Sequence, residues 1–262
     1  NIKMANYDII GNIAIVKFAR GEKLHKKKKF AQEFLNNVKN VKTILEKSDK
    51  FSGRLRTQKT KYLAGEKTKE ALYRENGCMF RLNVETCYFS PRLASERMEI
   101  AKSIKKGEKV LVMFGGVGPF AIVVSKLSKA SVVYSVELGR ECSKYALENV
   151  KRNKINNVSV VQGDVRRVLK NKKEYNKYFD RIVMARPNLK DSFLDVAFPL
   201  IKNNGIINYY GFYEADKKQE LINLINTQAK KSKRKIKIRN IKKAGEIGRK
   251  KYRFRADFIV SI

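Results

Sequence analysis

Met113 to Pro119 (MFGGVGP) sets three glycines within four positions, after an apolar run and before a stretch with helical spacing. Glycines placed this way let the backbone approach a ligand closely, and a helix opening there offers it unpaired amide N–H groups. Glu137 lies about 20 residues beyond Gly116 and closes the next strand-like run, where a carboxylate accepts the hydroxyls of a ribose. Asp164 follows the run after that (VVQGD) and is placed to accept from an adenine amino group. The spacing departs from GxGxxG, because Ala121 stands where the third glycine would be. A glycine turn with acids at two consecutive strand ends therefore favours S-adenosylmethionine over a nicotinamide dinucleotide. Taken singly, each acid equally suits a helix cap.

A second cluster lies in Cys87–Ile100 (CYFSPRLASERMEI), where Arg92, Glu96 and Arg97 sit within six residues behind Tyr88, Phe89 and Pro91. On a helix, Arg92 and Glu96 share a face, and an ordinary surface ion pair behind a helix-start proline is one reading of them. Other chemistries lack their residues. The single histidine, His25, disfavours a Ser-His-Asp mechanism, and no metal is expected. Cys78, Cys87 and Cys142 lie far apart without CxxC spacing, so reduced thiols are expected instead of a disulfide frame or a zinc site.

Two kinds of structure must position these groups. Residues 1–90 read as a small α+β unit. Tyr7–Phe18 alternates around Gly11-Asn12 as a hairpin, and Gly21–Lys39 carries Phe30, Phe34, Leu35 and Val38 at helical spacing. VKTIL, Arg54–Ala64 and Ala71–Val84 read as strands, the last broken by a tight turn at Glu75-Asn76-Gly77. Over residues 91–262 strands and helices alternate. Strands are expected at Glu108–Met113, Ser131–Val136, Val158–Gln162, Asp180–Met184 and Gly205–Gly211. Helices are expected over Arg92–Ile104, from the glycine turn through Leu127, over Gly139–Asn153, after Asp164, over Asn188–Ala197 and over Glu214–Lys231. The closing strands, Lys235–Ile241 and Tyr252–Ile262, would add an antiparallel edge to a doubly wound, mostly parallel α/β sheet.

The chain has 262 residues, 43% of them hydrophobic and 32% charged, enough for a sizeable core in one large domain or two modest ones. Lys and Arg total 59 against 25 Asp and Glu, a formal charge of +34. That surplus repels itself unless a polyanion takes it up, and nucleic acid fits best, with a genomic or thermal lysine bias as the plain alternative. A membrane is disfavoured: no apolar run reaches about 18 residues, and no basic helix shows an aromatic apolar face. The first residues carry no apolar leader, so a cytoplasmic protein is expected.

YFSPRLASER followed by MFGGVGPFAI resembles the archaeal and eukaryotic tRNA (guanine-37-N1)-methyltransferases and their relatives in wyosine synthesis. The likeness extends over LRTQKTKYLAGEKTKEALYRENGCMFRLNVETCYFSPRLASER, FDRIVMARP, FLDVAFPLIKNNGIINYYGF and YRFRADFIV, nearly the whole chain. A small N-terminal domain of longer members has no counterpart in these residues. The resemblance implies a Rossmann-like S-adenosylmethionine-dependent methyltransferase domain behind a smaller N-terminal α+β domain that contacts tRNA. It implies Glu96 as the base that removes the guanine N1 proton, and Arg56, in LRTQK, as the group that stabilises charge on O6. It implies a donor pocket of Tyr88, Pro91, Phe114, Gly116, Gly118, Glu137, Leu138, Asp164 and Val165. Arg92 and Arg97 are implied to hold the tRNA backbone or to order the site, Arg186 and Pro187 lie in the loop implied at the target base, and a monomer is expected to hold the anticodon stem-loop and body. Two positions depart from the family: Ala185 stands for the Asn of its Asn-Leu-Pro loop, and Val112 for an Asp often found before MF. The implied reaction is N1 methylation of guanosine 37. Carbon methylation of the tricyclic wyosine intermediate (4-demethylwyosine to isowyosine), alone or in addition, is the alternative, and a non-catalytic RNA-binding module a further one. Pro119 speaks against transfer of the donor's aminocarboxypropyl group.

Overall fold

The computed structural model describes residues 6–48, 53–169, 172–185, 191–248 and 250–261. At the N-terminus, β1 (Asn6–Ile10) and β2 (Ile13–Lys17) form the expected hairpin, with Ile10 opposite Ile13. Gly11 turns it at φ +58°, and a Cβ there would lie 1.9 Å from the Leu72 carbonyl oxygen, so only glycine fits. Helix α1 (Leu24–Asn37) then crosses to β3 (Thr43–Lys47), parallel to β2, and β4 (Thr60–Gly65) closes a four-stranded sheet in the order β1-β2-β3-β4. Val16, Ala31, Ile44 and Leu63 fill its core.

A separate hairpin follows, β5 (Glu70–Glu75) and β6 (Cys78–Asn83). Asn76 and Gly77 both take positive φ, as the tightest hairpin turn requires. The larger unit comprises α2 (Ala94–Ser103), β7 (Lys109–Met113), α3 (Pro119–Leu127), β8 (Val132–Glu137), α4 (Arg140–Arg152), β9 (Val158–Gln162), α5 (Val165–Val168), β10 (Phe179–Met184), α6 (Leu194–Leu200), β11 (Ile201–Glu214), α7 (Lys218–Lys231), β12 (Lys235–Gly248) and β13 (Lys251–Ser261). Its seven strands run in the order β12-β13-β11-β10-β7-β8-β9. The five central and far-edge strands are parallel, and β13 is antiparallel to both β11 and β12, the expected edge. From β7 the chain builds outward to β9 and then returns to β10 on the other side of β7. That reversal opens a crevice at the C-terminal ends of β7 and β10, where sheets of this kind bind ligands. Burial on both faces explains the unbroken apolar strands: Val110, Val112 and Val183 pack into one core, Leu111, Met113, Ile182 and Met184 into the other.

The hairpin β5–β6 is fastened to the larger unit through its backbone. The amides of Met79 and Arg81 donate to the side chains of Asn153 and Asn149, each at 2.8 Å. The same two side chains donate back to the Met79 and Arg81 carbonyls, so the helix satisfies the strand edge. Cys87 and Cys142 are joined by a disulfide, their Cα atoms 5.5 Å apart, which corrects the expectation of three reduced thiols. Spacing along the chain does not report this pairing, because α4 begins its first turn beneath the Cys87 turn. Cys78 stays free and buried, and burial pushes its thiol up to about 11. Helix α6 begins at Leu194, not near Asn188, after Phe193 takes a left-handed conformation; residues 186–190 lie outside the described residues. Among the described residues no helix is long and apolar enough to cross a membrane, and no group of His, Cys, Asp or Glu is placed to hold a metal.

Candidate functional site

The glycine turn occupies the crevice. Phe114 (φ +63°), Gly116 (φ +56°) and Gly118 (φ +89°) are all left-handed, and Pro119 starts α3 directly after them. A Cβ on Gly115 would meet the Ser135 hydroxyl at 2.1 Å, which pins the loop onto β8. Glu137 holds the loop from the side: one carboxylate oxygen accepts from the Gly116 amide at 2.8 Å, the other from the Gly139 amide at 2.7 Å. A carboxylate has about four acceptor positions, so roughly two remain for a pair of ribose hydroxyls. Asp164 caps α5 through the Arg166 amide at 2.9 Å and pairs with Arg54 at 2.7 Å. Burial works against its charge, but the Arg54 and Arg166 hydrogen bonds outweigh it and hold the carboxyl below its ordinary value. Arg54 is mostly exposed, so its hold on Asp164 is exchangeable. Val165 is buried behind Asp164, and Leu138 is half-buried between Glu137 and Gly139. The left-handed glycines, the free acceptor positions of Glu137 and the acid at Asp164 fit an adenosine-containing group. Val112 is buried in the sheet core.

Glu137→Ala is expected to weaken S-adenosylhomocysteine binding about tenfold or more in calorimetry, since two charge-assisted acceptors are lost and the loop loses its anchor. An unaltered isotherm would remove Glu137 from the site.

Against this crevice lies a cleft of about 940 Å³ between the N-terminal sheet and the ends of β11–β13. Arg56, Tyr88, Pro91 and Arg92 all line it, together with Gln58, Phe212 and Arg253, which the sequence did not single out. The Arg56 guanidinium lies over the Tyr88 ring, 3.7 Å from its centre, and Arg56 itself takes φ +52°, a strained conformation for a residue with a side chain. The Tyr88 carbonyl faces Gly116, within 3.8 Å of a Cβ built there, so cleft and crevice adjoin through this residue. Arg92 is exposed and pairs with Asp8 at 2.8 Å. It does not pair with Glu96: the short helical turn at Pro91–Leu93 separates their faces, which corrects the surface-pair reading.

Glu96 turns inward instead and is 6% exposed. Its carboxylate accepts from Arg255 at 2.7 Å and Tyr210 at 3.0 Å and pairs with Lys242 at 2.9 Å. Arg255 also holds Glu99 and Asp257. Burial and the neighbouring Glu96 carboxylate push the Tyr210 phenol well above its ordinary value, so it remains a donor. Arg97 is 1% exposed, clamped on Glu75 of β5 and on the Ser90 carbonyl, between Phe89 and Phe120. A side chain this enclosed cannot touch a tRNA backbone, so Arg97 orders the segment instead of holding phosphate. Arg186 and Pro187 lie outside the described residues, next to Ala185 at the end of β10. The missed residues Arg253 and Arg255 did leave a signal: with Asp257 they alternate on one face of a strand whose other face is Phe254, Ala256 and Phe258.

A family profile described as the TRM5/TYW2 methyltransferase domain matches residues 71–238, and one described as the TYW2 N-terminal domain matches residues 3–68. The tRNA (guanine(37)-N(1))-methyltransferase Trm5b of Pyrococcus abyssi is 41% identical over 79% of this chain, which spans only 60% of that relative's length. The tRNA (guanine(37)-N(1))/4-demethylwyosine(37)-methyltransferase Taw22 of Nanoarchaeum equitans is 34% identical over 95% of this chain and 98% of its own. The crystal structure of wild-type Trm5b from Pyrococcus abyssi superposes with a TM-score of 0.87 at 36% identity, covering 98% of this chain and 75% of that one.

Proposed function

The chain belongs to the TRM5/TYW2 family of methyltransferases, and on that footing we propose that it transfers a methyl group from S-adenosylmethionine to N1 of guanosine at position 37 of tRNA. The observation that carries this is the junction at Tyr88, where the glycine crevice adjoins a cleft in which an arginine lies over an aromatic ring. When bound, S-adenosylmethionine supplies an electrophilic methyl group. The chain's own residues do the rest. Gly116, Gly118, Glu137 and Asp164 hold the donor's adenosine, with Phe114, Leu138, Val165, Tyr88 and Pro91 around it. The target base, turned out of the anticodon loop, enters the cleft. Glu96, buried on Arg255 and Tyr210 and not among the residues lining the cleft, is assigned the N1 proton, and Arg56 the negative charge left on O6. Arg92 and the other exposed cations of the rim take the backbone of the anticodon stem-loop and body, with the formal charge of +34 favouring capture. We take the enzyme to act as a cytoplasmic monomer.

A second reading is methylation of 4-demethylwyosine at the same position, alone or in addition. It is favoured by Ala185, which leaves more room at the end of β10 than an asparagine, and by the likeness to the doubly named Nanoarchaeum relative over nearly its whole length. Labelled S-adenosylmethionine and two tRNAs differing only at position 37, followed by nucleoside mass spectrometry, decide between them. N1-methylguanosine on unmodified tRNA supports the first reading; label only on the tricyclic precursor supports the second. No label on either tRNA overturns both in favour of an RNA-binding module.

Arg56→Ala is expected to lower the single-turnover rate about tenfold or more while tRNA affinity changes less, since charge on O6 develops only in the transition state. Loss of affinity alone would reassign Arg56 to docking.

A further inference from the structure

We propose that Arg253 is a second guanidinium of the base pocket, facing the target across from Arg56 and donating to the exocyclic oxygen O6 of the seated guanine. This rests on the guanosine reading above. Arg253 lines the cleft yet is only 6% exposed. Its Nε has no hydrogen-bond partner, and among the described residues no carboxylate lies within ion-pair distance of it. The contrast with Arg255, two positions along the same strand and same face, is direct: that guanidinium holds Glu96, Glu99 and Asp257. Burial pushes the Arg253 guanidinium below its ordinary value and nearby Arg56 adds to the effect, against the opposing pull of the Tyr88 and Tyr210 hydroxyls. A buried cation without a counter-charge is costly unless a ligand supplies one.

The surroundings specify that ligand. Phe212, opposite Arg253 in the β11–β13 register, has its ring centre 5.4 Å from the guanidinium, and the Tyr88 hydroxyl accepts a hydrogen bond from it. Two aromatic residues flanking one cation suit a flat ring that presents an oxygen in its plane. On β12 the ladder slips between Lys243 and Glu246, and Gly245, at φ +127°, lies beside the Arg253 guanidinium. At Gly245 that strand puts no side chain beside the Arg253 guanidinium. Phosphate is better served at the rim, where Arg92, Lys217 and Lys251 are exposed, than by a side chain at the floor. As N1 loses its proton to a base, the electron pair delocalises onto O6, and two guanidinium groups share the charge before N1 attacks the methyl carbon.

The test measures binding of full-length tRNA to the whole chain in the presence of S-adenosylhomocysteine. Position 37 carries guanosine or 2-aminopurine nucleoside, which lacks O6, and a third tRNA carries a neutral methylphosphonate 5′ to guanosine 37. The wild-type protein is expected to prefer guanosine to 2-aminopurine about tenfold, and Arg253→Gln to reduce that preference to about unity. Arg253→Gln should leave the penalty of the methylphosphonate unchanged. A wild-type protein without the preference, or a variant that keeps it, overturns the assignment. So does a variant that becomes indifferent to the methylphosphonate, which would make Arg253 a phosphate contact. If Arg253→Gln does not fold by circular dichroism, Arg253→Lys keeps the charge without the fork and should still lose most of the preference. The two proposals fail separately. N1-methylguanosine formed by wild type with an unchanged preference in the variant sinks only this one; no methyl transfer with the preference abolished sinks only the guanosine reading.

Discussion

Glu96→Gln is expected to lower single-turnover methyl transfer about 100-fold or more while S-adenosylhomocysteine still binds as in the wild type. Glutamine keeps the shape of the side chain but cannot accept a proton from N1. It also meets Arg255, Tyr210 and Lys242, all donors, with one oxygen and one NH₂ group. Part of any loss therefore comes from the network itself, and thermal unfolding separates the parts. Arg255 keeps Glu99 and Asp257, so the melting temperature should fall by only a few degrees. A rate within threefold of wild type would make Glu96 an anchor for Arg255 and leave the base to be found elsewhere.

The largest effect on stability is expected from Arg97→Ala. Glu75 is 3% exposed, and losing its partner strands a buried carboxylate, which costs about 3–5 kcal/mol. For a chain of this size that corresponds to a fall in melting temperature on the order of 10 °C. Removing both charges together, Arg97→Met with Glu75→Leu, should recover most of the loss, because the penalty belongs to the stranded carboxylate. Denaturant titration of both variants checks this; a single variant as stable as wild type would show that water reaches Glu75.

What the sequence displays is what local pattern determines. The glycine turn, Glu137 and Asp164 were readable because each follows a strand and opens a helix. The same periodicity marked the alternation of strands and helices. For Arg97 the sequence leaves a phosphate contact and a structural role both open, because its burial depends on Glu75, which a tight hairpin brings beneath it. Arg253 and Arg255 take their surroundings from the register between β11 and β13, set by segments some 45 residues apart. The Cys87–Cys142 link likewise follows from how α4 packs, which spacing does not encode.

The paired asparagines on α4 have a consequence for how such enzymes diversify. Because Asn149 and Asn153 complete the backbone of β6, that hairpin inherits with the donor-binding sheet, and a replacement without it would bare two buried amides on the helix. The seam at which the N-terminal unit can be traded for another therefore falls before Glu70, in the short connection after β4. Such an exchange would leave the crevice at the ends of β7 and β10 in place but would replace Arg56, Gln58 and the rest of the N-terminal wall of the cleft.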